Sequence, residues 1–392
     1  MEYDERLLYK LWLNIQCGHD PRLIEKCLNK FGSAEEIFKS EPKYTELLSG
    51  VRMGRVLSAR RSLSQAEELV RYCEEEGIEI IAQGDKKYPK RLSEIFAPPQ
   101  ILYVKGEMPD IDNLVCVTVV GSRECTEYSR KFARDISYDL AKSGIIVISG
   151  MARGIDAAAQ TGALDAGSIT VGVLAGGVDV IYPKSNAPLY KRIVEQGAII
   201  SERPPQTAGR KEFYRERNRI LVGLSKGVVI VAGEEKSGTR LTATWAGDAN
   251  RDLFAVPGKP DDVGSALPNR LIKENAKLTT TAEDVIEEYI SVYQLELKNG
   301  IDYIDEKKAK SVERAAIIGV EELPRPKAPD FDKFEDKERI ILEFLYENKK
   351  AVHIDDIAEG CNIPTTELSF LIIQLLMQRA VKEHPGERYS IE

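Results

Sequence analysis

The sequence predicts an α/β protein built on a doubly wound, mostly parallel sheet. A helical N-terminal domain precedes this sheet, and a small winged-helix-like C-terminal domain follows it. Two observations carry the prediction: short runs rich in Val and Ile alternate with helix-length segments, and glycine-containing turns follow several of the runs. Apolar runs such as IIVIS and VVIVA are typical of strands buried on both faces. The alternation implies right-handed β–α–β crossovers.

The N-terminal domain is predicted over residues 1–70 as short helices. Leu7, Leu8, Leu11 and Trp12 form one apolar face at helical spacing. The short helices and tight turns resemble a SAM-like or helix-hairpin-helix-like domain. The glycine-rich hairpin that contacts DNA phosphates in that motif is missing, so DNA contact and plain packing both remain open for this domain.

The main sheet is assigned to residues 77–290. Its first part, 77–106, is expected to be irregular because Tyr88-Pro89 and Pro98-Pro99 interrupt it. The predicted strands that follow are 115–120, 145–149, 169–174, 198–201, 227–232 and 252–256. The predicted helices between and after them are 126–143, 155–166, 187–196, 214–225 and 238–250.

The end of the chain is predicted to comprise a linker and a small terminal domain. Residues 291–330 are rich in Lys, Asp and Glu and are assigned as the linker. Residues 331–392 are predicted to form three helices and a closing hairpin that turns at Pro385-Gly386, which is a winged-helix pattern. The third of these helices is mostly apolar, so protein contact, core packing and DNA reading all remain open for it.

Composition excludes several classes of protein. None of the six cysteines forms a CxxC pair, which argues against a zinc site or a disulfide framework. The three histidines lie outside the central region, which argues against a histidine-based catalytic centre there. No apolar run approaches the about 18 residues of a membrane span, and the charged first residues are unlike a signal peptide. We therefore expect a cytoplasmic protein without membrane contact.

The formal net charge of −8 gives no bulk electrostatic footprint for nucleic acid. The charge is nevertheless segregated along the chain. One short stretch concentrates basic residues: Arg210, Lys211, Arg215, Arg217 and Arg219. A local anion-binding surface is therefore compatible with an acidic chain.

The first two turns of the predicted sheet each combine glycine with arginine. Gly121, Ser122 and Arg123 follow the first strand of the alternating region. The second turn is SGMARGID, which contributes Gly150, Arg153, Gly154 and, in the first helical turn, Asp156. Such turns lie at the carboxyl ends of parallel strands, where ligands bind and helix N-termini attract anions. Each turn taken alone is also compatible with a tight βα connection that carries a surface arginine.

A third turn extends the pattern. It contains Gly176-Gly177 and leads into a proline-containing loop with Lys184 and Asn186. Further along, Lys236 and Arg240 flank Ser237-Gly238-Thr239 at another helix start. Successive strand ends thus supply basic groups to one sheet edge, and this convergence predicts a site that holds phosphates.

Missing motifs restrict what the site does. The chain has no G-x-x-x-x-G-K-[ST] sequence and no G-x-G-x-x-G fingerprint. It also has no Ser-His-Asp order and no metal-ligand cluster. We therefore predict no cofactor, no metal and no catalysis.

These motifs are similar to those of a known family. In chain order they are GSR, SGMARGIDAAA, GVDVIYPKSN, ISERPP, RERNRILVGLS, KSGTRLTA, FAVPG and PNRLI. This is the order found in the DNA-processing protein A (DprA/Smf) family, and the match is dense over about 77–290. The resemblance implies an extended Rossmann domain that binds single-stranded DNA. Tyr182, Phe213 and Tyr214 are then candidates for base stacking or for plain packing of the loops.

The resemblance also implies a role and partners. Family members protect incoming DNA during natural transformation, or competence, help to load the recombinase RecA onto it, and act as homodimers. By motif position, Arg123 and Lys184 are the first candidates for DNA contact, and Arg153, Arg217 and Arg219 are the next.

The sequence departs from the family at several places. Gln160 stands where the family usually has His, and the segments around Arg240 and Ser265–Asn269 also differ. An alternative is a nucleotide phosphoribohydrolase of the lysine-decarboxylase-like type, but its GTxxE motif would require an acid where Thr242 stands. A protein-interaction scaffold with vestigial anion turns is a second alternative.

Overall fold

The structure is a computed structural model that describes residues 4–40, 61–290, 300–308, 334, 336–348, 352–378, 380–384 and 388–391. The chain divides into two compact units, Met1–Glu313 and Arg314–Glu392. No helix in the described part of the chain is long and apolar enough to span a membrane.

The first unit is organised around one large sheet. Within the described residues it has nine strands in the order β1-β2-β6-β5-β4-β3-β7-β8-β9. The strands are β1 Ile78–Ala82, β2 Ile101–Gly106, β3 Cys116–Gly121, β4 Ile146–Ser149, β5 Thr170–Val173, β6 Ala198–Ser201, β7 Gly227–Ala232, β8 Asp252–Ala255 and β9 Lys277–Leu278. Neighbours from β6 to β9 pair in parallel, whereas β2 pairs antiparallel with both β1 and β6. The predicted α/β class is confirmed.

Helices cover both faces of this sheet. The helices of the first unit are α1 Glu5–Gln16, α2 Pro21–Phe31, α3 Ala34–Lys39, α4 Ser64–Glu75, α5 Lys90–Ser93, α6 Glu127–Lys142, α7 Ile155–Asp165, α8 Ala187–Gln196, α9 Lys211–Leu224, α10 Gly238–Asp248, α11 Ala266–Lys273, α12 at 283–290 and α13 at 300–308. On one face α6 and α7 share a core with Val117 and Val147. On the other face α9, α10 and α11 share a core with Ile146 and Ile230. Two apolar layers therefore enclose the parallel strands, as their unbroken Val and Ile runs require.

The region 77–106 differs from the prediction, because it contains two paired strands. Ile81 of β1 lies opposite Leu102 of β2 in an antiparallel register. The prolines that indicated irregular structure lie between these strands and not within them, so they interrupt no ladder hydrogen bond.

The predicted linker 291–330 also differs in part. Residues 300–308 form α13, and Ile304 in this helix is buried in the core beneath the sheet. Because this segment is rich in charged residues, the sequence pattern did not indicate that Ile304 would be buried. Residues 291–299 and 309–330 lie outside the described part of the chain.

The N-terminal helices pack on two sides of α1. Leu8 and Leu11 share a core with Val70 of α4 and Leu189 of α8, whereas Trp12 packs with α2 and α3. These helices belong to the same compact unit as the sheet. The domain boundary expected at residue 70 remains a prediction.

The second unit contains three helices and a small sheet within its described residues. The elements are α14 Asp336–Asn348, β10 Val352–His353, α15 Ile354–Cys361, α16 Thr365–Met377, β11 Val381–His384 and β12 Arg388–Ile391. The strands follow the order β10-β12-β11. Ile341, Leu368 and Ile372 are central to its core. The winged-helix assignment remains a prediction, and the turn at Pro385-Gly386 lies outside the described residues.

The strand order places a crevice beside β3. From β3 the chain winds outward on one side through β4, β5 and β6, and then crosses to the other side to form β7. Ligands of open α/β sheets bind at such a reversal, outside the carboxyl ends of the strands. A ligand is therefore expected at the turns that follow β3 and β7.

Candidate nucleic-acid interface

A cleft of about 1080 Å³ opens at the carboxyl ends of β3 and β7, and we call it the main cleft. Three segments supply most of its wall: the turn after β3, helix α9, and the start of α10. Its polar and charged lining residues are Ser122, Arg123, Glu124, Asp156, Lys211, Tyr214, Arg215, Arg217, Asn218, Glu234, Glu235, Lys236, Ser237, Thr239, Arg240, Thr242 and Thr244. The cavity therefore lies at the predicted edge of the sheet, and its charged lining consists of six basic and four acidic side chains.

The first two glycine–arginine turns abut each other. The backbone N–H of Ile155 donates to the carbonyl of Ser122 over 3.3 Å. Gly154 has φ +79°, and a Cβ added there would lie 2.4 Å from the same carbonyl oxygen. Gly121 is equally constrained, since a Cβ would lie 2.7 Å from a side-chain carbon of Ile155. These glycines let the two turns pack closely against each other, whereas the predicted approach of their backbone to a ligand stays a prediction.

Arg153 is exposed and belongs to a second cavity of about 600 Å³, which we call the side cavity. This cavity adjoins the main cleft, because Ser122, Arg123 and Glu124 line both. Arg123 therefore stands between the two cavities, and Arg153 extends the basic surface beyond it.

The third turn is tied to the second by Asn186. Its side-chain amide donates to the carbonyls of Met151, over 2.9 Å, and Ala152, over 3.3 Å. Lys184, two residues earlier, is exposed, and its ammonium group has no hydrogen bond or ion pair with any described residue. Lys184 is outside the lining of the main cleft, but this tether holds its loop against Ala152, which lines it. The amide of Asn186 thus fixes the loop, while Lys184 keeps a free ammonium.

Arg217 corrects the sequence prediction of a direct DNA contact. It is 5% exposed, and its guanidinium donates to the carbonyl of Gly150 over 2.8 Å and to that of Val173. A Cβ at Gly150 would lie 2.4 Å from this guanidinium, so the glycine makes room for the arginine. Both residues therefore support the floor of the cleft and do not present a free cation to a ligand.

Arg219 is corrected for the same reason. It is also 5% exposed and forms a buried ion pair with Glu202. Glu202 in turn lies near Arg203, which pairs with Glu216. These ion pairs join α9 to the segment that follows β6, and they engage the guanidinium groups of Arg203 and Arg219 with carboxylates of the protein itself.

Two residues of α9 that the site prediction omitted line the main cleft. Lys211 and Arg215 are exposed, have no ion-pair partner among the described residues, and lie four positions apart on one helix face. The sequence contained the signal. The apolar residues Ile220, Leu221 and Leu224 mark the inward face of α9. Their helical spacing separates the basic residues that lie on this inward face from those that lie on the exposed face.

The start of α10 contributes Lys236 and Arg240 to the lining of the main cleft. Both are exposed, and neither has an ion-pair partner among the described residues. The acidic residues near them are Glu234 and Glu235, and Glu235 lies 3.9 Å from Arg270. The wall is therefore of mixed charge, with free cations at the helix N-terminus.

Aromatic rings continue the basic surface. The guanidinium of Arg123 lies 4.7 Å from the ring centre of Tyr214, and this ring lies 6.1 Å from that of Tyr182. Tyr182 is 56% exposed. Phe213 instead packs between the guanidinium groups of Arg203 and Arg210. Tyr182 and Tyr214 are thus the aromatic rings placed beside the cleft cations.

The floor of the cleft contains one buried carboxyl group. Burial raises the pKa of Asp156, while Arg217 and the backbone N–H of Ala152 oppose this shift. Burial lowers the pKa of Arg217. Thr242 is also buried, and its hydroxyl accepts from the amide of Asn218 over 3.0 Å. Among the described residues no group of His, Cys, Asp or Glu side chains is arranged to hold a metal ion.

The departures from the family pattern have local roles. The amide of Gln160 is buried, accepts from the backbone N–H of Met151 over 3.2 Å and donates to the carbonyl of Val171 over 3.3 Å. Asn269 forms two hydrogen bonds with the backbone of Gly258. Both side chains support turns at the sheet edge.

The fold and the cleft define an α/β protein with a basic crevice at the switch point of a doubly wound sheet. The chain belongs to the DNA recombination-mediator protein A family, whose model matches residues 79–290. DNA processing protein DprA of Bacillus subtilis is 37% identical over 214 residues, which cover 55% of this chain and 72% of that protein. Protein Smf of a Synechocystis strain is 27% identical and is covered over its full length.

Two solved structures share this fold. DNA processing protein A of Streptococcus pneumoniae is 31% identical with a TM-score of 0.63, and the match covers 74% of this chain and 99% of that one. The Helicobacter pylori protein is 28% identical with a TM-score of 0.50, and the match covers 55% and 97%, respectively. That structure is described as giving insight into its single-stranded DNA binding mode. Its ligand class agrees with the one the sequence motifs imply.

Proposed function

We propose that this protein binds single-stranded DNA without sequence preference, along the basic surface from Lys184 past Arg123 into the main cleft. The observation that carries the proposal is a set of exposed cations without ion-pair partners among the described residues. These are Arg123, Arg153, Lys184, Lys211, Arg215, Lys236 and Arg240. Cations that line a groove beside aromatic rings bind the strand backbone without reading its sequence.

The electrostatic contribution gives the first test. If about four to six phosphates are neutralised, the logarithm of the association constant falls with the logarithm of salt concentration with a slope of roughly −3 to −4. Fluorescence anisotropy with labelled oligo-dT at several salt concentrations measures this slope. A slope near zero contradicts the proposal.

A pair of double variants locates the surface. Replacing Arg123 and Lys184 with Ala removes two cations at the carboxyl edge, and we expect affinity to fall by at least about tenfold and the slope to weaken by about 1 to 1.5. The matched control replaces Lys142 and Lys273, which are exposed in the last turns of α6 and α11. These helices return to the opposite edge of the sheet. Equal losses in both double variants would mean that only net charge matters.

The cellular role is part of the same proposal. Family resemblance supports protection of incoming DNA in natural transformation, loading of RecA onto it, and action as a cytoplasmic homodimer. RecA ATP hydrolysis on oligo-dT covered by single-strand-binding protein tests the loading, and light scattering tests the dimer. If the wild-type protein binds DNA but does not stimulate RecA, the mediator role is refuted and DNA binding still stands.

We further propose that the protein acts without catalysis. The phosphoribohydrolase alternative requires an acid at Thr242, and this hydroxyl is buried and hydrogen-bonded to Asn218. A hydroxyl in this position cannot supply a carboxylate. Incubation with nucleoside monophosphates and chromatography for free base tests this, and base release would revive the enzyme.

A further inference from the structure

The N-terminus of α10 lacks the groups that normally satisfy its backbone donors. Ser237 is the N-cap residue, yet its side chain makes no capping hydrogen bond. The N–H groups of Gly238 and Thr239 donate to no acceptor in the described part of the chain. This helix has 11 residues, so its dipole adds a positive end to these free donors.

A second observation at this terminus indicates a ligand. Thr239 lines the main cleft and is only 8% exposed, but its hydroxyl has no hydrogen-bond partner among the described residues. The hydroxyl oxygen of Thr239 is not shielded from solvent as that of Ser237 is, so it is open to the cleft and can donate to a bound group. Ser237 contributes a second hydroxyl without a partner, shielded from solvent behind the same turn.

Gly238 leaves the space above the terminus empty. A Cβ added there would meet no heavy atom within 4 Å, and its φ is not in the left-handed region. Neither packing nor backbone conformation therefore requires glycine at this position. The missing side chain keeps open the position at which an anion would receive the backbone N–H groups.

The number of donors favours a phosphomonoester over a phosphodiester. A terminal phosphate has a charge of about −1.5 to −2 and three strong acceptor oxygens. A diester within a strand has one charge and two such oxygens. The two N–H groups, the Thr239 hydroxyl and the flanking Lys236 and Arg240 match the monoester better.

We infer that the N-terminus of α10, with Lys236 and Arg240 beside it, is the part of the proposed DNA-binding surface that binds the terminal phosphate of a nucleic acid strand. This inference rests on the proposed DNA binding and deepens it. In this arrangement Arg123 and Lys184 contact internal phosphodiesters. The terminal phosphate of the strand lies at Gly238 and Thr239. A nucleoside monophosphate presents the same chemical group.

The test compares short oligo-dT strands that differ only at one end. The protein is titrated with strands that have a 5′-phosphate, a 3′-phosphate or two hydroxyl ends, with anisotropy as the readout. We expect one of the phosphorylated strands to bind about tenfold more tightly than the hydroxyl strand. Competition by dTMP determines whether a free mononucleotide occupies the same site.

Two variants and a matched control assign the effect to α10. Gly238→Ala occupies the empty position, and Thr239→Val removes the hydroxyl while keeping the shape, so each should lower the ratio of affinities toward one. Gly247→Ala is the control, because a Cβ at this glycine near the end of the same helix also meets nothing within 4 Å. It should keep the full ratio.

The outcomes separate the two proposals. Equal affinity of wild type for all three strands overturns the terminal-phosphate site and leaves DNA binding intact. A preference that survives in Gly238→Ala and Thr239→Val also overturns it. Failure of wild type to bind any strand refutes the DNA-binding function itself. If dTMP displaces the phosphorylated strand from the wild type, and Gly238→Ala weakens this displacement, the result supports the site. It also identifies a mononucleotide as a second source of the phosphate.

Discussion

The guanidinium of Arg123 lies 4.7 Å from the centre of the Tyr214 ring. This contact joins the turn after β3 to helix α9, two segments about 90 residues apart in sequence that both line the main cleft. The planar guanidinium is held over the aromatic face by a cation–π interaction. Arg123 is therefore oriented before a ligand arrives.

Arg123→Lys tests this orientation, because lysine keeps the charge but cannot stack or bind phosphate through two N–H groups. We expect a threefold to tenfold loss of oligo-dT affinity (about 0.7 to 1.4 kcal/mol), with a nearly unchanged salt slope. Anisotropy titrations at two salt concentrations measure both quantities. Wild-type affinity in this variant would mean that charge alone is used at this position.

Arg215 and Arg217 should give opposite phenotypes although only one residue separates them. Arg215→Ala removes an exposed cation of the cleft and should weaken DNA binding with little change in the free energy of unfolding. Arg217→Ala leaves the carbonyls of Gly150 and Val173 without their donor and Asp156 without its nearby cation, and should cost about 3 kcal/mol or more. Urea denaturation and DNA titration of both variants check the pair. Similar stability of the two would contradict the buried role of Arg217.

Gly154→Ala should disrupt the junction of the two arginine turns. The added Cβ would lie 2.4 Å from the Ser122 carbonyl oxygen, and the backbone has φ +79°. We expect a loss of about 2 kcal/mol or more in the free energy of unfolding. Gly77→Ala is the control, since Gly77 has φ +63° but an added Cβ meets nothing within 4 Å. Because both glycines have a left-handed backbone, the difference in the free energy of unfolding between the two variants measures the cost of the steric contact alone.

His19 should make the stability depend on pH. Burial, with a contribution from Arg203, lowers the pKa of His19 from 6.5 to about 4. Because the unfolded chain takes up the proton first, stability is full above about pH 6.5 and falls as the pH drops toward 4. The expected loss between pH 7.5 and pH 5 is about 2 kcal/mol.

The matched variant for this prediction is His19→Asn. Asparagine tolerates the left-handed backbone at this position, where φ is 59°, and does not titrate. Urea denaturation at both pH values should show a smaller pH effect in the variant by about the same amount. An identical pH dependence in the two proteins would assign the effect to other groups.

The extent of sequence prediction is clearest at α9. Its basic residues identified the helix as part of the site, and RERNRILVGLS helped to identify the family. The site prediction nevertheless selected Arg217 and Arg219, which are buried, and omitted Lys211 and Arg215, which line the cleft. Charge and motif are local properties, whereas exposure depends on which face of α9 packs on β3, β4 and β5.

The sequence by itself determined the fold class, the order of the glycine–arginine turns and the family. Those depend on the period of apolar residues and on the backbone freedom of glycine, which are written in adjacent residues. Only the tertiary structure decided which cations are free. The reason is that an arginine becomes a structural support when distant carbonyls or carboxylates surround it, as Gly150 and Val173 surround Arg217 and as Glu202 pairs with Arg219. Arg123 stacks on the Tyr214 ring and has no ion pair or side-chain hydrogen bond with the described residues, so its donors are available to a ligand.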